Sequence, residues 1–260
     1  MNIKILLRSA FHSLAKHPLR SLLTTLGIII GITAIIAVTS IGQGAKYKVQ
    51  QSIEKLGSNF IIVLGGESKS FSQRRGGGAQ VTLKTSDYKA IVDECEYIYQ
   101  ASPGIQAPVR CIVEGTNWQT IMGGTYPNYT EIRNWPIAHG ENFTDNDVRS
   151  ATKVAILGNT VSQQLFGTTN PLGKTIRIKN IPFKIIGMLS EKGKRPDGTD
   201  EDDIVIAPFT TVQRKIVGAR KFSAIIMSAT TKQHIGKATQ QVRDILRQKH
   251  RLTPTDTEDF

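Results

Sequence analysis

The chain has 260 residues, of which 39% are hydrophobic, an ordinary content for a globular protein and too low for a protein with many membrane spans. The formal net charge is +12, but the basic residues are scattered, and no dense Lys/Arg run with interleaved aromatic residues indicates a nucleic-acid partner. Two cysteines are too few for a disulfide-rich scaffold or a zinc finger. One sizeable domain with one local membrane segment fits these bounds.

The first strong feature is an uncharged stretch of 25 residues between Arg20 and Lys46. We predict a transmembrane helix over residues 19–45, because about 20 apolar residues, each rising ~1.5 Å, span the ~30 Å hydrocarbon core. A cleaved signal peptide would have a shorter apolar region of ~7–15 residues. Gly27 and Gly31 form a GxxxG pair and are candidate helix-packing residues, because small residues at this spacing let a second helix approach closely.

The segment before the span is basic and contains no acidic residue. The charged residues among residues 1–20 are Lys4, Arg8, Lys16 and Arg20. The first acidic residue of the chain is Glu54, so the charge asymmetry places the N-terminus in the cytoplasm and the rest of the chain outside it. Residues 1–18 repeat apolar side chains at helical spacing, which predicts an amphipathic helix on the anionic cytoplasmic lipid surface.

After the span, strands and helices are mixed without regular alternation, which predicts an α+β domain. The predicted strands are Phe60–Leu64, Ile98–Gln106, Val109–Thr116, Val154–Leu157, Thr175–Ile178, Phe183–Leu189, Ile204–Ala207 and Phe222–Ala229. The predicted helices are 85–94, 159–166 and 232–249. Residues 116–134 are predicted to be loop with only short elements, and residues 191–203 form another predicted loop.

No segment carries a recognisable active site. Residues 167–175 resemble a phosphate-binding loop, but five residues separate the glycines where the motif needs four, and the segment leads into a strand. No histidine has a partner at metal-ligand spacing, and no nucleophile elbow is present. The run 200–203 is interpreted as a solvated acidic loop, with a weak calcium site as the alternative. We therefore predict no enzymatic activity, no cofactor and no metal site.

Cys95 and Cys111 leave two alternatives open. If the domain is exported, both thiols lie in an oxidising compartment, and a disulfide enclosing 15 residues would stabilise the fold by ~3 kcal/mol. The alternative is a pair of buried thiols that act as small hydrophobic side chains. Geometry decides between them, because a disulfide needs Cα atoms within ~7 Å of each other.

Two groups of segments stand out along the chain. The first group, at the predicted span and its exit, is Pro18–Ser21, Ser40–Ala45 and Leu56–Asn59. The second group, in the predicted α+β domain, is Gly140–Thr144, Val154–Gly158, Leu165–Gly167, Asn170–Lys174, Phe183–Gly187 and Ile204–Pro208. They resemble, respectively, the first membrane helix and the periplasmic core domain of MacB/FtsX-type ABC transporter permeases, and the resemblance covers nearly the whole chain. Family members usually carry three further membrane helices, and the family's macrolide exporter has a fused ATPase domain. The resemblance is therefore to the stand-alone permease type, in a truncated form.

This resemblance implies a periplasmic core domain over residues 46–260, with a porter-like α/β part and an inserted mainly-β part at about 115–203. It also implies a homodimeric permease in the bacterial inner membrane. Its partners would be a separate cytoplasmic ABC ATPase, a periplasmic adaptor and an outer-membrane channel. The permease would transmit ATP-driven motion to the periplasm for efflux. The alternatives are an FtsX-like or lipoprotein-sorting subunit, and a membrane-anchored binding domain that has no ATPase.

Overall fold

The structure of the chain is a computed structural model. It describes residues 18–56, 59–66, 83–195, 197–218, 223–253 and 255–260, without the side chains of residues 48–56. The amphipathic helix predicted for residues 1–18 therefore lies outside the described residues except at Pro18. The chain divides into two compact units, Met1–Gln51 and Ser52–Phe260.

The first described helix, α1, covers Pro18–Leu56 without interruption. Its part Pro18–Tyr47 reaches a mean hydropathy of 2.4 and is long and apolar enough to cross a membrane. The hydroxyl groups of Thr24, Thr25 and Thr39 donate to backbone carbonyl oxygens of the preceding turn at 2.7 to 3.0 Å. These polar groups are thus satisfied inside the helix, as an apolar surrounding requires.

Beyond α1, the described residues form a mixed set of strands and helices. The strands are β1 Phe60–Leu64, β2 Ile98–Val113, β3 Thr116–Thr125, β4 Ile137–Gly140, β5 Val154–Leu157, β6 Thr175–Ile178, β7 Ile181–Leu189, β8 Ile204–Pro208 and β9 Ala224–Ala229. The helices are α2 Thr85–Glu94, α3 Tyr129–Ile132, α4 Asp145–Ser150, α5 Asn159–Phe166, α6 Phe209–Thr211 and α7 Ile235–Lys249. A π-helical turn, Val212–Val217, continues α6, and a 3-10 turn, Lys232–His234, precedes α7.

Six strands close into a small barrel in the order β2, β3, β8, β5, β7, β6 and back to β2. The pairs β3/β8 and β5/β7 are parallel and the other pairs in the ring are antiparallel. Closure leaves no free strand edge within the ring. The barrel takes in Ile105–Val113 of β2 and all of β8, so the β-rich part begins before and ends after the predicted insert at 115–203.

The first part of β2 belongs to a second, three-stranded sheet. β9 pairs antiparallel with β1 on one side and with Ile98–Gly104 of β2 on the other. Helix α2 packs against α7 and β2, and α7 also packs against β1. The long strand β2 therefore joins a helix-covered sheet to a β-barrel, and the predicted α+β class is confirmed.

Two tight turns set the register of the barrel hairpins. Glu114 and Gly115 connect β2 to β3 with φ angles of 43° and 87°. Lys179 and Asn180 connect β6 to β7 with φ angles of 46° and 64°. Two consecutive residues with positive φ form the turn whose twist matches that of antiparallel strands, for which Gly and Asn are favoured. The predicted hairpin around Lys179–Asn180 is therefore present.

The strands bury alternate residues in two hydrophobic cores on opposite faces. In β9, Ile225 and Met227 enter the larger core, whereas Ala224 and Ile226 enter the smaller one. The larger core fills the barrel and the space beneath α2, α5 and α7. The smaller core centres on Trp135, whose indole Nε1 donates to the Ser190 carbonyl oxygen at 2.6 Å. Both cores lie within the unit Ser52–Phe260.

Two sequence expectations about the fold are wrong. Residues 116–134 do not form a loop, because their first ten residues make β3, the strand between β2 and β8. Local sequence does not favour this strand, since Gly123 and Gly124 have low strand propensity. Pairing on both sides outweighs that preference.

The strands predicted as 98–106 and 109–116 are the single strand β2, which runs through Pro108.

Candidate functional site

A groove of about 550 Å³ is a candidate binding site in the part of the chain that the structure describes. Its walls come from β1, β9 and β2 on one side and from β3 and β8 on the other. Ile62, Leu64 and Ile121 line it with 45%, 44% and 46% of their surface exposed. Large aliphatic side chains half-exposed in one concave site are typical of a binding surface.

Two glycines make room along the groove. Gly104 lies on β2 and Gly123 lies on β3, and both line the groove. A Cβ atom on Gly123 would lie 3.6 Å from Ile204 Cδ1, an ordinary contact distance. The neighbouring Gly124 faces the other side, where a Cβ atom would lie 2.7 Å from Val212 Cβ. The glycine at 123 therefore leaves space in the groove, whereas the glycine at 124 permits tight packing.

One end of the groove carries a buried ion-pair network. Glu201 Oε1 accepts from Arg133 Nη2 at 2.8 Å and from Arg195 Nε at 2.7 Å. The side chains of Arg133 and Glu201 are each 8% exposed, whereas that of Arg195 is 43% exposed. Although burial raises it, the pKa of Glu201 is lowered overall by the Arg195 hydrogen bond and the surrounding positive charges. The carboxylate is therefore ionised and holds two guanidinium groups in place.

Lys192 contacts two of the residues that line this end of the groove, Arg133 and Trp135. Its Nζ donates to the Arg133 carbonyl oxygen at 2.7 Å and lies 5.0 Å from the centre of the Trp135 ring. Burial, and next the charge of Arg133, lower the pKa of Lys192 to about 8. Arg133 in turn lies over the ring of Phe60 on β1. The network thus ties the segment after α3 to the three-stranded sheet.

The acidic run 200–203 is not a solvated loop. Asp202 is 3% exposed and accepts hydrogen bonds from the backbone N–H groups of Lys192 and Gly193. Asp203 accepts from Trp118 Nε1 at 2.8 Å, and Asp200 accepts from the Thr160 hydroxyl at 2.8 Å. Each carboxylate therefore fixes a different element at the groove end. Among the described residues, no group of three His, Cys, Asp or Glu side chains could hold a metal ion.

Two buried polar atoms of groove-lining residues have no hydrogen-bond partner in the described structure. They are Arg133 Nε and Thr125 Oγ1. Buried polar groups are nearly always paired, and leaving one unpaired costs ~1–3 kcal/mol. Unpaired groups beside a cavity indicate a site for a ligand or for water.

The segment resembling a phosphate-binding loop has a structural role. Gly167 ends α5 with a φ angle of 58°, and the chain then enters β6. Gly173 N–H donates to the Ile185 carbonyl oxygen at 2.9 Å, and Lys174 Nζ lies over the Phe166 ring at 5.5 Å. The lysine thus stacks on its own preceding helix rather than reaching towards a phosphate.

The two cysteines are free, buried thiols in the structure. Cys95 ends α2, and its Sγ lies 3.2 Å from Gln241 Oε1 on α7. Cys111 lies in the barrel wall, paired with Trp118 on β3 and Ile178 on β6. Burial raises the pKa of Cys95, and burial followed by the charge of Asp203 raises that of Cys111 to about 12. The two thiols lie in different elements of the fold, and their covalent state in the exported protein stays a prediction.

Gly27 and Gly31 both lie in α1, where a Cβ atom on either would meet nothing within 4 Å. Their role in helix packing stays a prediction. The groove, in contrast, had no sequence signal as a site. Its residues come from five strands and from the segments 129–135 and 195–203, and their shared face depends on pairings distant in sequence.

Residues 21–245 match the sequence model of the MacB-like periplasmic core domain. A macrolide export ATP-binding/permease protein MacB from Syntrophobacter fumaroxidans is 37% identical over 251 residues, covering 96% of this chain and 34% of the relative. The protein of the same name from Chlorobium phaeobacteroides is 33% identical, with 95% and 37% covered. The chain thus spans about a third of the length of these relatives.

Two solved structures share the fold. The periplasmic region of MacB from Actinobacillus actinomycetemcomitans superposes with a TM-score of 0.65 at 24% identity, covering 76% of this chain and 87% of that one. The extracellular domain of the noncanonic ABC-type transporter YknZ from Gram-positive bacteria gives 0.60 at 18% identity, covering 77% and 97%. With the family match over residues 21–245, the chain belongs to the MacB-like periplasmic core domain family of ABC transporter permeases.

Proposed function

We propose that this chain is the part of an ABC transporter permease that carries ATP-driven movement from a cytoplasmic ATPase to the periplasm for export. A separate ABC ATPase, a second permease copy, a periplasmic adaptor and an outer-membrane channel complete the proposed assembly. The relatives named macrolide export ATP-binding/permease proteins support the ATPase partnership and the export role. The basic residues before the span support a cytoplasmic N-terminus in the inner membrane.

The observation that carries the proposal is the continuity of α1. Helix α1 has 39 residues, so at ~1.5 Å per residue it is about 58 Å long, well beyond the ~30 Å hydrocarbon core. The candidate membrane span ends at Tyr47, and the same helix continues to Leu56, four residues before β1 begins. An unbroken helix transmits displacement along its axis, whereas a flexible linker would absorb it.

The test breaks this helix outside the membrane. Gln50→Pro removes a backbone hydrogen bond and costs ~3 kcal/mol of helix stability, whereas Gln50→Ala keeps the helix. In cells containing the complete transporter, we expect Gln50→Pro to abolish export while the complex still assembles and hydrolyses ATP. Gln50→Ala should export normally. Normal export by the proline variant would contradict the proposal.

Partner and orientation are tested separately on the full chain. Affinity purification of the chain from native membranes should recover an ABC ATPase. If the chain is folded and inserted in the membrane but no ATPase is recovered with it, the result would support an anchored binding domain instead. A reporter that is active only in the periplasm, fused after Phe260, should be active. A silent but expressed fusion would overturn the orientation.

A further inference from the structure

We propose that the groove between the three-stranded sheet and β3/β8 binds an uncharged, mainly apolar small molecule whose carbonyl-type oxygen accepts from Arg195. The inference rests on the proposed function for its biological meaning, since such a molecule would be a transported substrate. Binding itself needs neither the ATPase nor transport. The two proposals therefore fail independently.

The apolar character of the ligand follows from the groove walls. Ile62 and Leu64 on β1 and Ile121 on β3 each expose close to half of their surface. Ile204 and Ile206 on β8 extend the same wall. Burying apolar surface contributes about 25 cal/mol per Å², so a ligand that covers these side chains gains most of its affinity from them. The cavity volume of about 550 Å³ lies within the range of small-molecule sites.

The charge balance at the groove end disfavours an anionic ligand. The charged residues that line it are Arg133, Arg195, Asp200, Glu201 and Asp203. Two positive and three negative side chains leave no net positive charge to attract an anion. A charged ligand would also lose its hydration in an apolar groove.

The half-exposed hydrogen-bonding side chain at this end is Arg195, which is 43% exposed. Among the described residues, Arg195 reaches Glu201 through Nε alone, so its terminal guanidinium nitrogens are able to donate to a ligand. A guanidinium group donates and never accepts, so the ligand atom that Arg195 contacts is an acceptor such as a carbonyl-type oxygen.

Benzophenone is a suitable probe, because it is apolar, uncharged and a ketone, and it cross-links to nearby C–H bonds on irradiation. The full chain in lipid nanodiscs is irradiated with it, and the labelled peptides are identified by mass spectrometry. We expect saturable labelling of β1, β3 and β8 residues. The matched anion 4-benzoylbenzoate should label these peptides about tenfold less at equal concentration. Equal or stronger labelling by the anion, or no labelling of these strands, would overturn the proposal.

Three variants locate the site. Gly123→Leu fills the groove from a position where a Cβ atom is tolerated, and it should lower groove labelling about tenfold. Arg195→Met removes the donors while Arg133 keeps Glu201 paired, and it should have a similar effect. The control Ile112→Ser changes an exposed β2 side chain, 40% exposed, that does not line the groove, and it should label normally. Unchanged labelling in both groove variants, with unfolding transitions like wild type, would place the probe elsewhere and refute the site.

Discussion

Arg133 Nη2 lies 2.8 Å from Glu201 Oε1, and both side chains are almost completely buried. The same oxygen accepts from Arg195 at the groove lip, so one carboxylate oxygen serves a buried guanidinium and a half-exposed one. A buried ion pair that loses one partner leaves an uncompensated charge, whereas an exposed pair contributes little. The two arginines should therefore contribute very differently to stability.

Glu201→Gln is expected to destabilise the domain by ~3–5 kcal/mol, because Arg133 then lies buried without a counter-charge. Arg195→Met removes the exposed partner and should cost at most ~1 kcal/mol. Urea unfolding of the full chain in nanodiscs, followed by tryptophan fluorescence, measures both. Trp118 and Trp135 are the only tryptophans of the chain and lie in the Ser52–Phe260 unit, so the signal reports on that unit. Equal effects of the two substitutions would contradict the assigned roles.

The adjacent glycines of β3 give a second prediction. Gly124→Ala should destabilise the domain by ~1–3 kcal/mol, because its Cβ atom would lie 2.7 Å from Val212 Cβ in the buried core. Gly123→Ala makes an ordinary contact and should change stability by no more than ~0.5 kcal/mol. The same unfolding experiment distinguishes them. A larger loss for Gly123→Ala would mean that the two faces of β3 have been assigned the wrong way round.

Elements with a strong local signal were predictable from sequence. The β6/β7 hairpin has alternating burial and a turn whose two residues take positive φ, and α2 spans Thr85–Glu94 as expected. β3 was missed, because pairing with β2 and β8 overrides the weak strand propensity of Gly123 and Gly124. Such pairings are not encoded in any short window of sequence.

The groove end was missed for a similar reason. A run of four acidic residues is usually solvated, yet here each carboxylate accepts hydrogen bonds from side chains or backbone groups outside the run. Glu201 pairs with Arg133, 68 positions away, and Asp203 accepts from Trp118, 85 positions away. The partners come together only once the barrel has closed. Composition alone therefore gave the wrong environment for residues 200–203.

Gly27 and Gly31 give a prediction about assembly. We propose that they form a face for a second helix, because neither lies against another part of the described chain. Gly27→Leu with Gly31→Leu should lower the fraction of assembled complex in membranes, as measured by cross-linking. Thr33→Leu, on roughly the opposite side of the helix, is the matched control and should assemble normally. Normal assembly of the double variant would make the glycines incidental to packing.

The cysteines give a prediction about covalent state. Cys95 and Cys111 should both be alkylated in protein denatured without reductant after export to the periplasm, because the fold buries them as separate thiols. In the native protein both should react slowly, since burial raises each pKa and leaves little thiolate. Mass spectrometry counts the labels in each case. A mass lower by two hydrogen atoms, with neither cysteine labelled, would show that the disulfide alternative is correct.

Lys192 gives a prediction about pH. Its pKa is lowered to about 8 in the folded state, below the ~10.4 of an unfolded lysine, so between these values the unfolded chain binds more protons than the folded one. Folding stability contributed by this group therefore rises with pH from about 8 to about 10 and is lowest below about 8. The slope approaches at most ~1.4 kcal/mol per pH unit for one proton.

The measurement is the difference in unfolding free energy between wild type and Lys192→Met, taken at several pH values with tryptophan fluorescence. Other titrating groups largely cancel in that difference, which should increase in favour of wild type as the pH rises above about 8. Lys215→Met, which removes an exposed lysine, is measured alongside as the matched substitution. A difference that stays flat across this range would mean that Lys192 keeps its proton in the fold and that burial behind Arg133 does not lower its pKa.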